Sequence, residues 1–170
     1  GNAGNYADTD LRHAVENGLI EGPTIINAGR IIAPFGGQFH LHAERPELGV
    51  PEYLYADTRD ELQNAIRENI HFGARVIKIV VDDQPYIYSE EDLKFIVDEA
   101  GRAGIKLAAH CATAQGAMNA IKAGVASVEH GNHISDDRLE LAKKHGVVLV
   151  GTEMPSWLLE MFGSEKMYPV

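Results

Sequence analysis

The chain is poor in the residues that cross-link, span membranes or hold nucleic acid. It has one cysteine, Cys111, so no internal disulfide framework is available and the redox compartment stays open. No apolar run approaches the roughly 18 residues of a membrane span. Lys/Arg clusters are absent, and 15 basic side chains face 25 acidic ones, a formal charge of −10. That balance argues against nucleic acid and membrane as partners. The N-terminus lacks the basic flank and apolar core of a signal peptide. The expectation is a soluble protein, with the cytoplasm favoured and a secreted or periplasmic location left open. At 170 residues the chain is short of a complete eight-unit α/β barrel, which takes about 250. Gly1-Asn2-Ala3-Gly4 reads as the inside of a loop rather than a natural start, so a piece of a longer protein is expected.

Hydrophobic residues at 45% and charged residues at 24% instead suit an ordinary folded core. One pattern recurs along the chain. An amphipathic helix ends at a glycine, and a short β-branched run follows at once. Gly73, Gly104, Gly124 and Gly146 precede the runs beginning at Ala74, Ile105, Val125 and Val147. Glycine closes a helix in the left-handed conformation, and continuous apolar runs suit strands covered on both faces. Helix starts are expected at Thr58-Arg59-Asp60-Glu61, a capping-box sequence, and at Ser89, Thr113 and Ser135. An earlier helix is expected near Asp8–Asn17, with a first strand at Thr24–Ala28. The Gly- and Pro-rich stretch from about Ala33 to Asp57 reads as a long irregular loop. Alternating helix and strand predict a parallel sheet within one domain spanning residues 1–170.

Three residues stand at matching places in successive strands. Lys78 lies inside Val76-Ile77-Lys78-Ile79-Val80-Val81, where an unpartnered ammonium is costly. On spacing alone, a lysine whose stem snorkels to solvent explains it as simply. His110 ends Leu107-Ala108-Ala109-His110, and His130 ends Ser127-Val128-Glu129-His130. In α/β barrels the carboxyl ends of strands carry the chemistry. Two histidines and a lysine at one rim therefore point to metal ligands or catalytic groups, where a lone histidine would read as core.

These stretches resemble the fourth, fifth and sixth strands of the amidohydrolase superfamily. The similarity is greatest to its imidazolonepropionase-like and Xaa-Pro dipeptidase (prolidase)-like branch. Gly18-Leu19-Ile20-Glu21-Gly22-Pro23, Tyr88-Ser89-Glu90-Glu91-Asp92-Leu93 and Ile96-Val97-Asp98-Glu99-Ala100 fit the same branch. The resemblance implies an α/β fold, a partial TIM (β/α)8 barrel of the metallo-dependent hydrolase type. About five parallel strands would alternate with helices, covering approximately strands three to seven. It further implies one or two divalent metals, usually zinc, with Lys78 carbamylated by carbon dioxide and His110 and His130 as ligands. The implied reaction is hydrolysis of an amide or peptide C–N bond, in a short peptide or small cyclic amide, by metal-activated water. The family's first-strand His-x-His and eighth-strand Asp have no counterpart here, so the proton-shuttling group is unassigned. The chain by itself is expected to show little or no hydrolase activity.

His40-Leu41-His42 follows Gly36-Gly37 in the long loop and lacks the apolar strand that precedes a first-strand ligand pair. It reads as an exposed loop pair, with substrate binding as the functional alternative. His133 has the same two readings. Gln38 and Ala112 stand where many relatives carry histidine or an aromatic residue. Cys111 reads as a small buried residue, and Asp82 and Asp83 as loop or helix-start acids. Two other outcomes stay open from sequence: a noncatalytic half-barrel binding or assembly module, and a homo-oligomer joined through exposed sheet edges.

Overall fold

The computed structural model describes residues 4–38, 49–83, 85–131 and 134–152. Helix α1 (Ala7–Glu16) precedes two short strands, β1 (Ile31–Ala33) and β2 (Tyr53–Tyr55). Strict alternation follows: α2 (Arg59–His71), β3 (Val76–Val80), α3 (Glu90–Gly101), β4 (Lys106–Cys111), α4 (Ala114–Ala123), β5 (Ser127–His130), α5 (Asp136–His145) and β6 (Val148–Val150). The strands form one parallel sheet in the order β2-β1-β3-β4-β5-β6. No helix among the described residues is long and apolar enough to cross a membrane.

Local chemistry explains where the helices begin and end. Thr58 accepts the Glu61 amide at 3.3 Å, and the Glu61 carboxylate accepts the Thr58 amide at 2.9 Å, closing the capping box. Ser89 and Thr113 cap α3 and α4 through the amides of Asp92 and Gly116. At its other end α4 stops at Gly124, whose φ of 80° is unfavourable for any side chain.

Two expectations need correction. Thr24–Ala28 is not a strand; the ladder starts at Ile31, three residues past Ala28. The amides of Ala28 and Gly29 are taken by Asp8 of α1, at 3.2 and 3.0 Å, and Gly29 turns the chain at φ 67°. Those amides are therefore not available to a neighbouring strand. The stretch from Ala33 to Asp57 is not irregular throughout: it holds β2, and the parallel sheet has six strands. Three residues, Tyr53-Leu54-Tyr55, are too few to show a period of two.

Register sorts the side chains onto two faces. Ile32, Ile77, Ile79, Leu107, Ala109, Cys111 and Val128 face one way and join a continuous apolar core. Leu62 and Ile66 of α2, Leu93 and Ile96 of α3, and Ala117, Ala120 and Ile121 of α4 complete it. Each fully buried Ile or Leu contributes about 1.5–3 kcal/mol. The opposite face carries a small cluster of Ile31, Ala33, Tyr53 and Val80 beside polar residues.

Candidate metal and active site

The polar face follows from the pairing. Lys78 pairs with Ala108, and Ala108 with Ser127; Val80 pairs with His110, and His110 with Glu129. Paired residues of a parallel sheet project to the same side. Lys78, His110, Ser127 and Glu129 thus share the face that the helices leave uncovered. Ser127 donates to Glu129 Oε1 at 2.6 Å.

Lys78 is half-buried. Desolvation pulls its pKa below the ordinary lysine range, against the opposing pull of Glu129 and Cys111. The neutral amine is correspondingly easier to reach, which is the form that can react with an electrophile.

His130 reaches the same region by a different route. It pairs with Cys111, so simple alternation would send it toward the helices. Its φ of 71° breaks that alternation. Its ring meets that of His110 edge to face, with centroids 4.6 Å apart. Burial lowers the pKa of His130, and His110 and Lys78 lower it further. A neutral imidazole results, the state that ligates metal ions.

The loops beyond the strands supply neighbours. His130 Nδ1 lies 2.7 Å from Thr152 Oγ1, just past β6. His110 Nε2 lies 3.3 Å from Asp83 Oδ2, just past β3. That approach is not aligned as a hydrogen bond, and buried Nε2 has no hydrogen-bond partner. Asp83 holds φ 94°, a conformation costing a non-glycine residue about 1–3 kcal/mol. Gln38 donates to Asp83 Oδ2 at 3.5 Å and accepts from the Tyr53 hydroxyl at 3.0 Å.

Asp82 has a different task. It is fully buried and accepts the amides of Ala112 at 2.6 Å and Thr113 at 2.9 Å, and the Thr113 hydroxyl at 2.6 Å. The carboxylate sits at the N-terminus of α4, where the helix dipole favours negative charge. Gly116 leaves it room; a Cβ there would collide with the Asp82 carboxylate. Asp82 therefore clasps the loop after β3 to the loop after β4. Cys111 is buried behind it, and desolvation pushes its thiol pKa up, against any role as a thiolate nucleophile.

The donor chemistry suits a divalent ion. Two imidazoles in contact, one with an unsatisfied buried nitrogen, lie on the sheet's open side near a desolvated amine. Among the described residues no three His, Cys, Asp or Glu side chains form an ion-binding group. His40, His42 and His133 lie outside the described residues. Asp83, Thr152 and Glu129 were not singled out as site residues from sequence. Only the Asp-Asp pair directly after the lysine strand offered a signal.

The sequence matches the Amidohydrolase family over residues 1–162. Aspergillus niger ochratoxinase is 31% identical over 167 residues, covering 84% of this chain and 35% of that protein. An Xaa-Pro dipeptidase solved with bound methionine superposes with a TM-score of 0.83 at 27% identity, over 99% of this chain and 45% of the other. A prolidase complexed with N-methylphosphonate-L-proline gives 0.79 at 29% identity, over 99% and 45%. The chain thus spans less than half the length of these relatives. It belongs to the Amidohydrolase family, and its six-stranded sheet is an arc of that family's (β/α)8 barrel.

Proposed function

We propose that the protein is a metal-dependent hydrolase of amide or peptide C–N bonds, acting on short peptides or small cyclic amides. The observation that carries this reading is the His110–His130 ring contact at the strand ends, on the face that also holds half-buried Lys78. The Xaa-Pro dipeptidase and prolidase among the similar structures support a peptide-like substrate.

His110 and His130 would hold a divalent ion, zinc or a cation of similar chemistry, through neutral ring nitrogens. Lys78 would join them as a carbamate. Its neutral nitrogen would add to the carbon of carbon dioxide and release one proton, giving an anionic carboxylate that could ligate a cation. The low-lying lysine pKa favours the reactive amine. When bound, such an ion lowers the pKa of water and polarises an amide carbonyl. The chain's own part is to orient the imidazoles, keep His130 neutral and hold the lysine in a partly dry position.

Zinc content of the purified protein, measured by mass spectrometry, tests the reading together with dipeptide hydrolysis. Lys78→Met, His110→Ala and His130→Ala are each expected to lose stoichiometric zinc. Lys78→Met also loses the carbamate signal in NMR with ¹³C-labelled carbon dioxide. Retention of full zinc content by all three variants overturns the proposal.

A further inference from the structure

A single exposed apolar side chain is ordinary on a protein surface. Phe35 is set apart by its mounting. It stands in a tight turn just past β1, where the Gly37 amide donates to the Pro34 carbonyl at 3.0 Å. The Phe35 amide donates to Asp57 Oδ1 at 3.2 Å. Gly37 lies over the Tyr53 ring; a Cβ there would stand 3.2 Å from a ring carbon. Gln38 then accepts the Tyr53 hydroxyl at 3.0 Å. The backbone is thus held on both sides of Phe35, yet its side chain belongs to a residue 65% exposed. The ring leans on Tyr55, with centroids 5.5 Å apart and planes inclined at 56°. Tyr55 stacks in turn on Tyr53, 6.1 Å away and nearly parallel.

Register carries this aromatic row onto the polar face. Ala33 pairs with Tyr55, and Ile32 with Ile79, so Ala33 stands beside Val80, which pairs with His110. Tyr55, Ala33, Val80 and His110 therefore form one crosswise row on the face that holds Lys78. Three strand spacings of ~4.8 Å put Tyr55 roughly 14 Å from His110 along the sheet. Phe35 lies beyond the end of β1, one strand nearer. Two extended residues span about 7 Å, and an aromatic side chain reaches several ångströms further. A peptide whose scissile amide lies at His110 can therefore carry a neighbouring side chain to Phe35. The side chains between, of Ala33 and Val80, offer no hydrogen bond, so this end of the row selects by apolar contact.

We propose that Phe35 and Tyr55 form an aromatic subsite, which receives an aromatic side chain one or two residues from the bond to be cleaved. A ring on a fixed backbone binds with little ordering cost. The edge of Phe35 that meets Tyr55 leaves its exposed side to a further ring, in offset or edge-to-face contact. The inference rests on the hydrolase reading and names its substrate class, short peptides with an aromatic residue beside the scissile bond.

The test is an NMR titration of the intact chain, with chelator present so that no probe is hydrolysed. Phenylalanyl-phenylalanine is expected to bind about 10-fold more tightly than alanyl-alanine. Its ring should give nuclear Overhauser contacts to Phe35, and its amide should shift the His110 ring signals. Phe35→Ala is expected to bring the two probes to equal affinity with an unchanged melting temperature, since the ring is exposed. Phe35→Trp should keep the preference, and Tyr55→Leu should lower it. The same preference in wild type, Phe35→Ala and Tyr55→Leu overturns the proposal. So does ring contact at Phe35 without a shift at His110. Zinc content, measured separately, distinguishes this failure from that of the hydrolase reading. Zinc binding without ring preference overturns the subsite alone. Ring preference without zinc binding supports the ring site and overturns the metal-dependent reaction.

Discussion

The two faces of one sheet are built on opposite terms. Toward the helices, Ile77, Ile79, Leu107, Ala109 and Val128 are almost entirely inaccessible and pack on the apolar stripes of α2, α3 and α4. On the other side the same strands carry Lys78, His110, Ser127 and Glu129. One residue of register separates the two sets. The fold is held by the first face, and the second is free to carry groups that stability would reject. Desolvated Lys78 and the unsatisfied Nε2 of His110 are such groups. Both are liabilities in a protein without a ligand for them.

That division can be broken most severely from the helix side. Leu93→Ala removes a fully buried side chain from the core, with an expected loss of about 2–5 kcal/mol in chemical denaturation. Zinc binding by the fraction that remains folded should change little. Asp82→Ala probes the seam between the faces. It strips three donors of their acceptor at the start of α4, with an expected loss of about 1–3 kcal/mol. Unlike Leu93→Ala, it should also weaken zinc binding, because it frees the loops that follow the lysine and histidine strands. Equal zinc affinities in the two variants would mean that the seam does not couple stability to the site. The smallest effect is expected of Thr58→Ala, which opens the exposed capping box of α2 for about 1 kcal/mol in a thermal or denaturant melt and leaves zinc affinity unchanged.

Much of the helix-side architecture was legible in the sequence because it rests on local chemistry. The Thr58 capping box and the glycines that end α4 and α5 act through neighbours within one turn. The long apolar strands β3 and β4 announced themselves by composition. β1 and β2 did not, for different reasons. Asp8, some twenty residues away, captures the amides of Ala28 and Gly29 at the end of the expected Thr24–Ala28 strand, and Tyr53–Tyr55 is too short to pattern.

The site was legible only in part. His110 stands near the end of β4 as expected, whereas Lys78 lies in the middle of β3 and shares its face by register. His130 stands at the end of β5, yet counting along that strand turns it away from His110. Its left-handed backbone reverses that, and nothing in Ser127-Val128-Glu129-His130 marks it. Asp83 was visible as an acid after a strand. Its approach to His110 depends on the loop after β3 meeting the neighbouring strand β4 in space, which no single stretch of sequence records.

The Asp82 clasp has a consequence for motion. Loops at the mouths of barrels usually open and close on their own, each at its own rate. Here one carboxylate ties the backbone beyond β4 to the turn beyond β3. The two segments form one cooperative unit, and opening either exposes the same buried charge. The arc from Lys78 to His110 is therefore expected to open as one unit, which hydrogen exchange of the Ala112 and Thr113 amides would report.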